Sequence, residues 1–228
     1  LSKRHGATAV SEFVEKGYLT DALINFVALL GWSPSDGQEI KTVDEIAQDF
    51  RINEISSSNS IFEYDKLNWM NSHYIKMLSI PELKERLKPY LKKYDLNELT
   101  DAQYTRMVEI TYEPLTLLSD ITEAVPYFFG EEVEIDEKAK ETLDTEVSQE
   151  VLKTFTEQAK DWEWTEENLH EKLEAFRAYY KEKGVKPKVT MWAIRAAVTG
   201  RTRGADMTAT LAILGKDKVE KRIKAAIK

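Results

Sequence analysis

Two arginines and two glycines lie close together near the carboxyl end of the chain, in Thr199-Gly200-Arg201-Thr202-Arg203-Gly204. Glycine lacks a Cβ, so its backbone can approach a ligand closely. An arginine guanidinium binds phosphate through paired hydrogen bonds and stacks on nucleic-acid bases. Arg195 precedes this segment, near Trp192, in an apolar stretch. These residue types indicate contact with a nucleic acid or another phosphate, and composition alone leaves an ordinary solvated loop as an equal alternative.

A second basic segment, Ser2-Lys3-Arg4, begins the chain and is followed by His5-Gly6. A lysine can neutralise a polyphosphate, and a serine hydroxyl and loop amides can donate hydrogen bonds to its oxygens. The same composition is common at frayed chain ends. An anion site and an ordinary terminus are therefore both compatible with these residues.

Other chemistry-bearing residue types are absent or scattered. The sequence has no cysteine, which excludes disulfides, Cys-ligated zinc and a catalytic thiol within these residues and fits a reducing compartment. The three histidines, His5, His73 and His170, are too far apart in sequence to suggest metal ligands. We therefore predict no metal site.

Charge is distributed unevenly along the chain. The 228 residues carry a net charge of −8, which by itself argues against a nucleic-acid partner. Residues 131–180 have 16 acidic and 6 basic side chains, whereas residues 181–228 have 4 acidic and 13 basic ones. Because phosphate binding depends on local potential, the basic segment makes nucleic acid a candidate again. The acidic segment either repels RNA or pairs internally with the basic one, and residues 216–228 are expected to form a solvated helix face.

Helices must position these segments, because the chain is poor in turn-forming residues. Nine glycines and six prolines in 228 residues are too few for a hairpin-rich β fold. Apolar side chains recur at three- and four-residue spacing, as in Leu67, Met70, Tyr74 and Met77. We predict an all-α fold, with no apolar run of about 20 residues that could cross a membrane.

Capping residues predict where several of the helices begin and end. Thr20 or Asp21 is expected to cap one helix, and Gly31 is expected to close it in a left-handed conformation. Thr42 begins a capping-box pattern, and Pro81 occupies a favoured first-turn position. Two tryptophans on apolar helix faces are predicted to lie in the core: Trp69 and Trp192.

Short segments along nearly the whole chain carry a family resemblance. They include Leu1-Ser2-Lys3-Arg4-His5-Gly6, Gly17-Tyr18-Leu19, Lys66-Leu67-Asn68-Trp69-Met70-Asn71, Arg195-Ala196-Ala197-Val198-Thr199-Gly200 and Leu214-Gly215-Lys216. The first resembles the glutamyl form of the Lys-Met-Ser-Lys-Ser loop of class I aminoacyl-tRNA synthetases. In this order and spacing, the segments resemble the C-terminal part of a bacterial-type glutamyl-tRNA synthetase.

The resemblance implies three consecutive helical modules and a catalytic domain upstream of them. Residues 1–80 would form a stem-contact module, residues 81–130 a first anticodon-binding module, and residues 131–228 a distal anticodon-binding module. Lys3 would be catalytic, stabilising the pyrophosphate that leaves when ATP adenylates glutamate. The ATP-binding residues would be Ser2, Lys3 and Arg4. The parent enzyme would use ATP with Mg²⁺, whereas this chain alone would hold no cofactor and would not aminoacylate tRNA.

The resemblance also assigns residues to the anticodon. Arg195, just before a Thr-Gly pair, would contact an anticodon base, and the following loop would contact others. The family frequently has a Gly-Pro-Leu or Pro-Gly-Leu type of segment where this chain reads Arg203-Gly204-Ala205-Asp206-Met207. Backbone contacts of Gly204 and Ala205 with the anticodon are compatible with that difference. The resemblance gives weaker support to anticodon contacts of the Asp206 and Met207 side chains. The residues assigned to anticodon binding are Arg195, Arg201, Arg203, Gly204, Ala205 and Met207.

The expected partner is a glutamate-accepting tRNA, read in the cytoplasm by a parent enzyme that is a monomer and binds neither membrane nor DNA. Some family members use an arginine of the middle module to separate glutamate from glutamine tRNAs. The corresponding residues 111–115 contain none, so a glutamine-accepting tRNA remains an alternative partner. The alternative class is a helical protein-interaction module with a basic C-terminal helix and no tRNA role.

Overall fold

The computed structural model describes residues 9–56 and 61–228, which contain helices and no β-strand. The predicted all-α fold is confirmed for this part of the chain. The α-helices are α1 (Val10–Glu15), α2 (Thr20–Gly31), α3 (Val43–Asp49), α4 (Tyr64–Met77), α5 (Ile80–Leu87), α6 (Asp101–Thr111), α7 (Ile121–Ala124), α8 (Glu137–Leu143), α9 (Glu146–Gln158), α10 (Glu166–Glu182), α11 (Pro187–Thr199) and α12 (Met207–Ala226). Short 3-10 helices occupy Ile52–Glu54, Lys88–Leu91, Leu96–Glu98, Leu118–Asp120, Pro126–Phe128 and Ala159–Asp161.

Contacts divide the chain into two compact units. The first comprises Leu1–Lys93 and Tyr112–Glu123, and the second comprises Tyr94–Thr111 and Ala124–Lys228. The three modules predicted from the family resemblance are a different division, and they stay a prediction.

The first unit is held by an aromatic and aliphatic cluster and by one buried amide. Phe13, Phe26 and Met70 belong to the cluster. The Oδ1 atom of Asn71 accepts the N–H of Leu19 at 2.8 Å, and its Nδ2 atom donates to the Thr116 carbonyl at 2.6 Å. Because a buried amide is stable only when hydrogen-bonded, this side chain fixes two separate backbone segments against α4.

Local capping predictions for the first unit have mixed outcomes. The Thr42–Glu45 capping box is confirmed, and Pro81 lies in the first turn of α5. The prediction for Gly31 is wrong: it is not among the glycines with positive φ, and Trp32 leaves the helix in an extended conformation. The prediction that Thr20 or Asp21 caps α2 is wrong: the N-cap is Leu19, whose side chain has no acceptor, and its own N–H donates to Asn71.

Trp69 is 43% exposed, so its predicted core position is wrong. It lies two residues after the fully buried Leu67, which places it about 200° around the helix. Its ring packs against His73, with ring centroids 4.5 Å apart. Trp192, the other tryptophan predicted to be core, is only partly buried.

Helix α11 lies at the centre of the second unit, where it packs against α8, α9, α10 and α12. Its inward residues are mostly small, and Ala193, Ala196 and Ala197 are all buried. Small side chains let neighbouring helices pack closely without cavities. The central helix is therefore fixed from several sides, and its orientation sets the direction of every side chain that it leaves open.

A buried arginine joins three segments of the second unit. Arg222 of α12 is 3% exposed, and it donates hydrogen bonds to four backbone carbonyls. Its acceptors are Tyr127 at 2.7 Å, Val198 at 2.8 Å, Gly130 at 2.9 Å and Glu131 at 3.2 Å. Burial lowers the pKa of this guanidinium, while Glu131 and Glu98 oppose that shift. Since arginine stays charged in proteins, the carbonyl dipoles replace the hydration that burial removes.

Gly200 ends α11 where no larger residue fits. Its φ of 70° is left-handed, and an added Cβ would lie 1.9 Å from the Glu134 carbonyl oxygen. The Gly200 carbonyl accepts the N–H of Asp136 at 2.9 Å. The turn after α11 is thereby fixed to the segment that leads into α8.

We expect Arg222→Met to destabilise the second unit by about 3 kcal/mol, because it leaves buried carbonyls without donors. Lys221→Met is the matched control, since Lys221 forms an exposed ion pair with Glu131, worth less than about 1 kcal/mol. Urea denaturation followed by circular dichroism measures both, and hydrogen exchange of the α11 amides locates the loss. Equal effects of the two substitutions would contradict the role given to Arg222.

Candidate nucleic-acid interface

The turn between α11 and α12 is anchored at both ends. At its start, the Thr199 hydroxyl donates to the Arg195 carbonyl at 2.8 Å and accepts the N–H of Arg201 at 3.3 Å. At its end, Asp206 is the N-cap of α12, and its Oδ1 atom accepts the N–H of Ala209 at 2.8 Å. The residues between are therefore presented in a defined conformation.

Arg195 lies one turn before the end of α11, with part of its guanidinium buried. Its Nη1 atom is buried and has no hydrogen-bond partner in the described part of the chain. A Cβ added to Gly204 would lie 3.2 Å from this atom, so the glycine lets the turn lie close against the guanidinium. Burial lowers the pKa of Arg195, and the neighbouring Tyr127 and Asp206 act against that shift. Such a buried donor without a protein partner is a candidate to bind an acceptor from a ligand.

Tyr127 lies on the other side of the same turn. It is 2% exposed, and its hydroxyl accepts a hydrogen bond from the backbone N–H of Ala205. An added Cβ at Gly204 would lie 3.6 Å from that hydroxyl. Burial raises the pKa of Tyr127, so the side chain stays neutral at ordinary pH. Arg195, Gly204, Ala205 and Tyr127 therefore form one cluster around the turn.

The other residues predicted to contact the anticodon differ in their exposure. Arg203 and Gly204 are exposed, and Arg201 and Ala205 are partly exposed. Met207 is only 5% exposed, so its side chain belongs to the core in this conformation. Their assignment to an anticodon stays a prediction. The structure adds that Asp206 caps α12. This role could have been predicted, because Asp206 stands just before an apolar run in the sequence.

Lysines of α12 and of the residues just after it pair with acidic side chains of the same unit. Lys221 binds Glu131 at 2.9 Å, and Lys228 binds Asp144 at 2.5 Å. These hydrogen bonds are the main cause of the lowered pKa of the Glu131 and Asp144 carboxyls. Of the two alternatives for the acidic segment, internal pairing is the one observed. The terminal helix is therefore largely neutralised, and the exposed Arg203 lies beside the cluster.

Ser2, Lys3 and Arg4, the residues predicted to bind ATP, lie outside the described residues. Within the described part, no three His, Cys, Asp or Glu side chains are grouped so that they could hold a metal ion. No helix in that part is both long and apolar enough to cross a membrane.

An all-helical unit that presents arginines beside a glycine-containing turn is a candidate nucleic-acid-binding module. The chain belongs to the family described as the anticodon binding domain, whose model matches residues 82–227. Residues 1–69 match a second family model, described as the catalytic domain of class I tRNA synthetases (E and Q).

Similar proteins are glutamate–tRNA ligases. Glutamate–tRNA ligase 2 of Syntrophus aciditrophicus is 38% identical over the whole chain, and that of Carboxydothermus hydrogenoformans is 35% identical over 98% of it. The chain spans 47% of each of these two proteins, about half their length. Among solved structures, the chain is similar to a crystal structure of a glutamate tRNA ligase from Elizabethkingia meningosepticum in complex with its amino acid, with a TM-score of 0.85 and 26% sequence identity. The match covers 99% of this chain and 44% of that protein. The resemblance to this class of synthetase is confirmed.

Sequence reasoning missed Tyr127, the residue that holds the turn from the opposite side. It belongs to the aromatic run Tyr127-Phe128-Phe129, which reads as ordinary core sequence. Its partner Ala205 is distant in the sequence and contributes only its backbone. Nothing in the pattern of side chains could have paired the two.

We expect Tyr127→Phe to loosen the turn without unfolding the unit. The substitution keeps the buried ring but removes the acceptor of the Ala205 N–H, a loss of about 0.5–1.5 kcal/mol. Hydrogen exchange of the Ala205 amide should then be up to about tenfold faster. Tyr180→Phe, which removes a hydroxyl bonded to Thr154 at 2.8 Å, is the control and should leave that amide unchanged. Unaltered exchange in Tyr127→Phe would refute the contact.

Proposed function

We propose that this chain is the tRNA-binding part of a glutamate–tRNA ligase and that its second unit recognises the anticodon of a glutamate-accepting tRNA. One observation carries the proposal: the buried, unpartnered Nη1 atom of Arg195 faces the turn at Gly204 and Ala205. That turn lies in the region matched by the anticodon binding domain model. The edge of a splayed base would supply the acceptor that Arg195 lacks.

The geometry supports base recognition that is organised before the RNA arrives. Thr199 and Asp206 fix the ends of the turn, and Tyr127 fixes its middle through Ala205. A rigid site loses less conformational freedom on binding, so more of the contact energy appears as affinity. The exposed Arg203 is placed to bind a phosphate, whereas the backbone at Gly204 and Ala205 can contact base edges.

In this proposal the ligase joins glutamate to tRNA with ATP, supplied with Mg²⁺, in the cytoplasm. The relatives are about twice as long as this chain, and we place glutamate binding and most ATP contacts in the sequence that they have in addition. Lys3 would stabilise the charge of the leaving pyrophosphate, with Ser2 and Arg4 beside it. The 228 residues alone would bind tRNA without charging it.

The internal pairing of the α12 lysines counts against the protein-interaction alternative. That alternative rested on a basic terminal helix, and Lys221 of α12 and Lys228 just after it are engaged with acidic side chains of their own unit. A glutamine-accepting tRNA remains a possible second substrate, because residues 111–115 contain no arginine. A direct comparison of the two tRNAs decides that question.

Titration of the chain with glutamate tRNA, and with versions substituted in the anticodon, tests the proposal. We expect binding at low salt that weakens as salt increases and that is stronger for the natural anticodon. Absence of binding at low salt would contradict a tRNA role. Binding that ignores the anticodon would reduce the role to phosphate contact.

Arg195→Ala should weaken binding of glutamate tRNA by about 1–3 kcal/mol, roughly 10- to 100-fold, because it removes a contact to a base. The loss should be smaller for the anticodon-substituted tRNA, which has already lost that contact. Arg51→Ala is the control, since Arg51 is an exposed arginine of the first unit. Equal losses for both tRNAs would refute the assignment of Arg195 to a base.

A further inference from the structure

Helix α11 leaves a single narrow stripe of its surface open. Beyond its first turn, every residue from Thr190 to Thr199 is buried except Met191, Trp192 and Arg195. The exposed Lys188 extends this stripe toward the start of the helix. The stripe leads from Lys188 to the turn that follows Gly200, where the cluster around Arg195 lies.

The spacing within the stripe alternates a cation, an aromatic ring and a second cation. Lys188, Trp192 and Arg195 stand at positions i, i+4 and i+7, which share one face of an α-helix. The Nζ atom of Lys188 lies 4.3 Å from the centre of the Trp192 ring. Seven residues of helix span about 10 Å, so the three side chains can contact neighbouring nucleotides of one strand.

Lys188 differs from Lys183, which also lies over an aromatic ring in this unit. Lys183 lies 4.5 Å from the centre of Tyr179 and also binds Glu150 at 3.3 Å, so an acidic side chain already neutralises it. No carboxylate of the described residues forms an ion pair with Lys188. Its positive charge therefore remains available to a phosphate.

We infer that Trp192 is a stacking platform for a base of the anticodon loop, adjacent to the base that Arg195 contacts. This inference rests on the proposed function and deepens it. Proteins that bind single-stranded RNA stack its bases on aromatic rings and bind its phosphates with nearby cations. Trp192 supplies the ring, and Lys188 supplies the cation for the phosphate of the stacked nucleotide. The stripe is continuous with the Arg195 cluster, which we propose binds RNA. This continuity favours RNA, rather than a peptide, as the ligand of the stripe.

The test combines two protein variants with tRNAs that lack one base. Trp192→Leu keeps an apolar side chain but removes the ring, and it should weaken binding of glutamate tRNA about tenfold, within the range of base–aromatic stacking. Trp192→Phe keeps a ring and should retain most of the affinity. Tyr179→Leu is the matched control and should bind as the natural chain does. Thermal unfolding by circular dichroism shows that each variant is folded.

Glutamate tRNAs made abasic at single positions of the anticodon loop identify the stacked base. At one position, removing the base should weaken binding of the tRNA to the natural chain. The same removal should not lower the affinity of Trp192→Leu any further, because that variant has already lost the stacking contact. Binding should also quench tryptophan fluorescence less in Trp192→Phe than in the natural chain. Lys188→Met should weaken all of these tRNAs about equally and lower the salt dependence by about one phosphate contact.

The inference fails if folded Trp192→Leu binds every tRNA as the natural chain does while Arg195→Ala does not. It also fails if Trp192→Leu loses the same affinity for the intact tRNA and for every abasic one. If neither Arg195→Ala nor an anticodon substitution alters binding, the proposed function itself fails, and the stacking role fails with it.

Discussion

The second unit depends on a buried positive charge that has no buried carboxylate beside it. Arg222 is held by four backbone carbonyls, one of which belongs to the last turn of α11. The carboxyl end of a helix carries partial negative charge, so the guanidinium is stabilised there by the helix as well as by individual bonds. The same side chain binds the backbone at Tyr127, Gly130 and Glu131. It thus fixes the end of the central helix and the segment that packs across it.

The geometry of the candidate site follows from that arrangement. Because the segment through Glu134 lies against the end of α11, residue 200 must be glycine. Because Tyr127 is fixed by its own carbonyl, its hydroxyl is in place to accept the N–H of Ala205. The turn therefore leaves Nη1 of Arg195 buried and unpaired. A donor left unpaired is costly to the folded protein, and a ligand that pairs with it recovers that cost.

Local features were predictable from the sequence because their causes are local. Apolar periodicity predicted the helices, and α12 breaks at Gly215, where φ is 75°, just before residues 216–228, which were expected to form a solvated helix face. Thr42 and Pro81 act within a few residues of themselves. Gly31 and Trp69 were mispredicted because tertiary contacts, rather than capping or local hydrophobicity, decide their conformation and exposure. Arg222 was not predictable at all, since its carbonyl acceptors carry no side-chain signature and most lie more than 90 residues away.

The electrostatics explain why the whole-chain charge is a poor guide to the partner. A net charge of −8 hides a basic segment, and that segment is in turn largely neutralised where α12 meets acidic side chains. The cations considered for an RNA at this turn are Arg195 and Arg203, together with Lys188 on α11. A few cations contribute only modestly to the binding free energy through phosphate contacts. Binding depends steeply on salt only when many such contacts form. Selectivity for an RNA must then come mainly from bases, and bases are what a rigid turn with a buried, unpaired guanidinium is suited to bind.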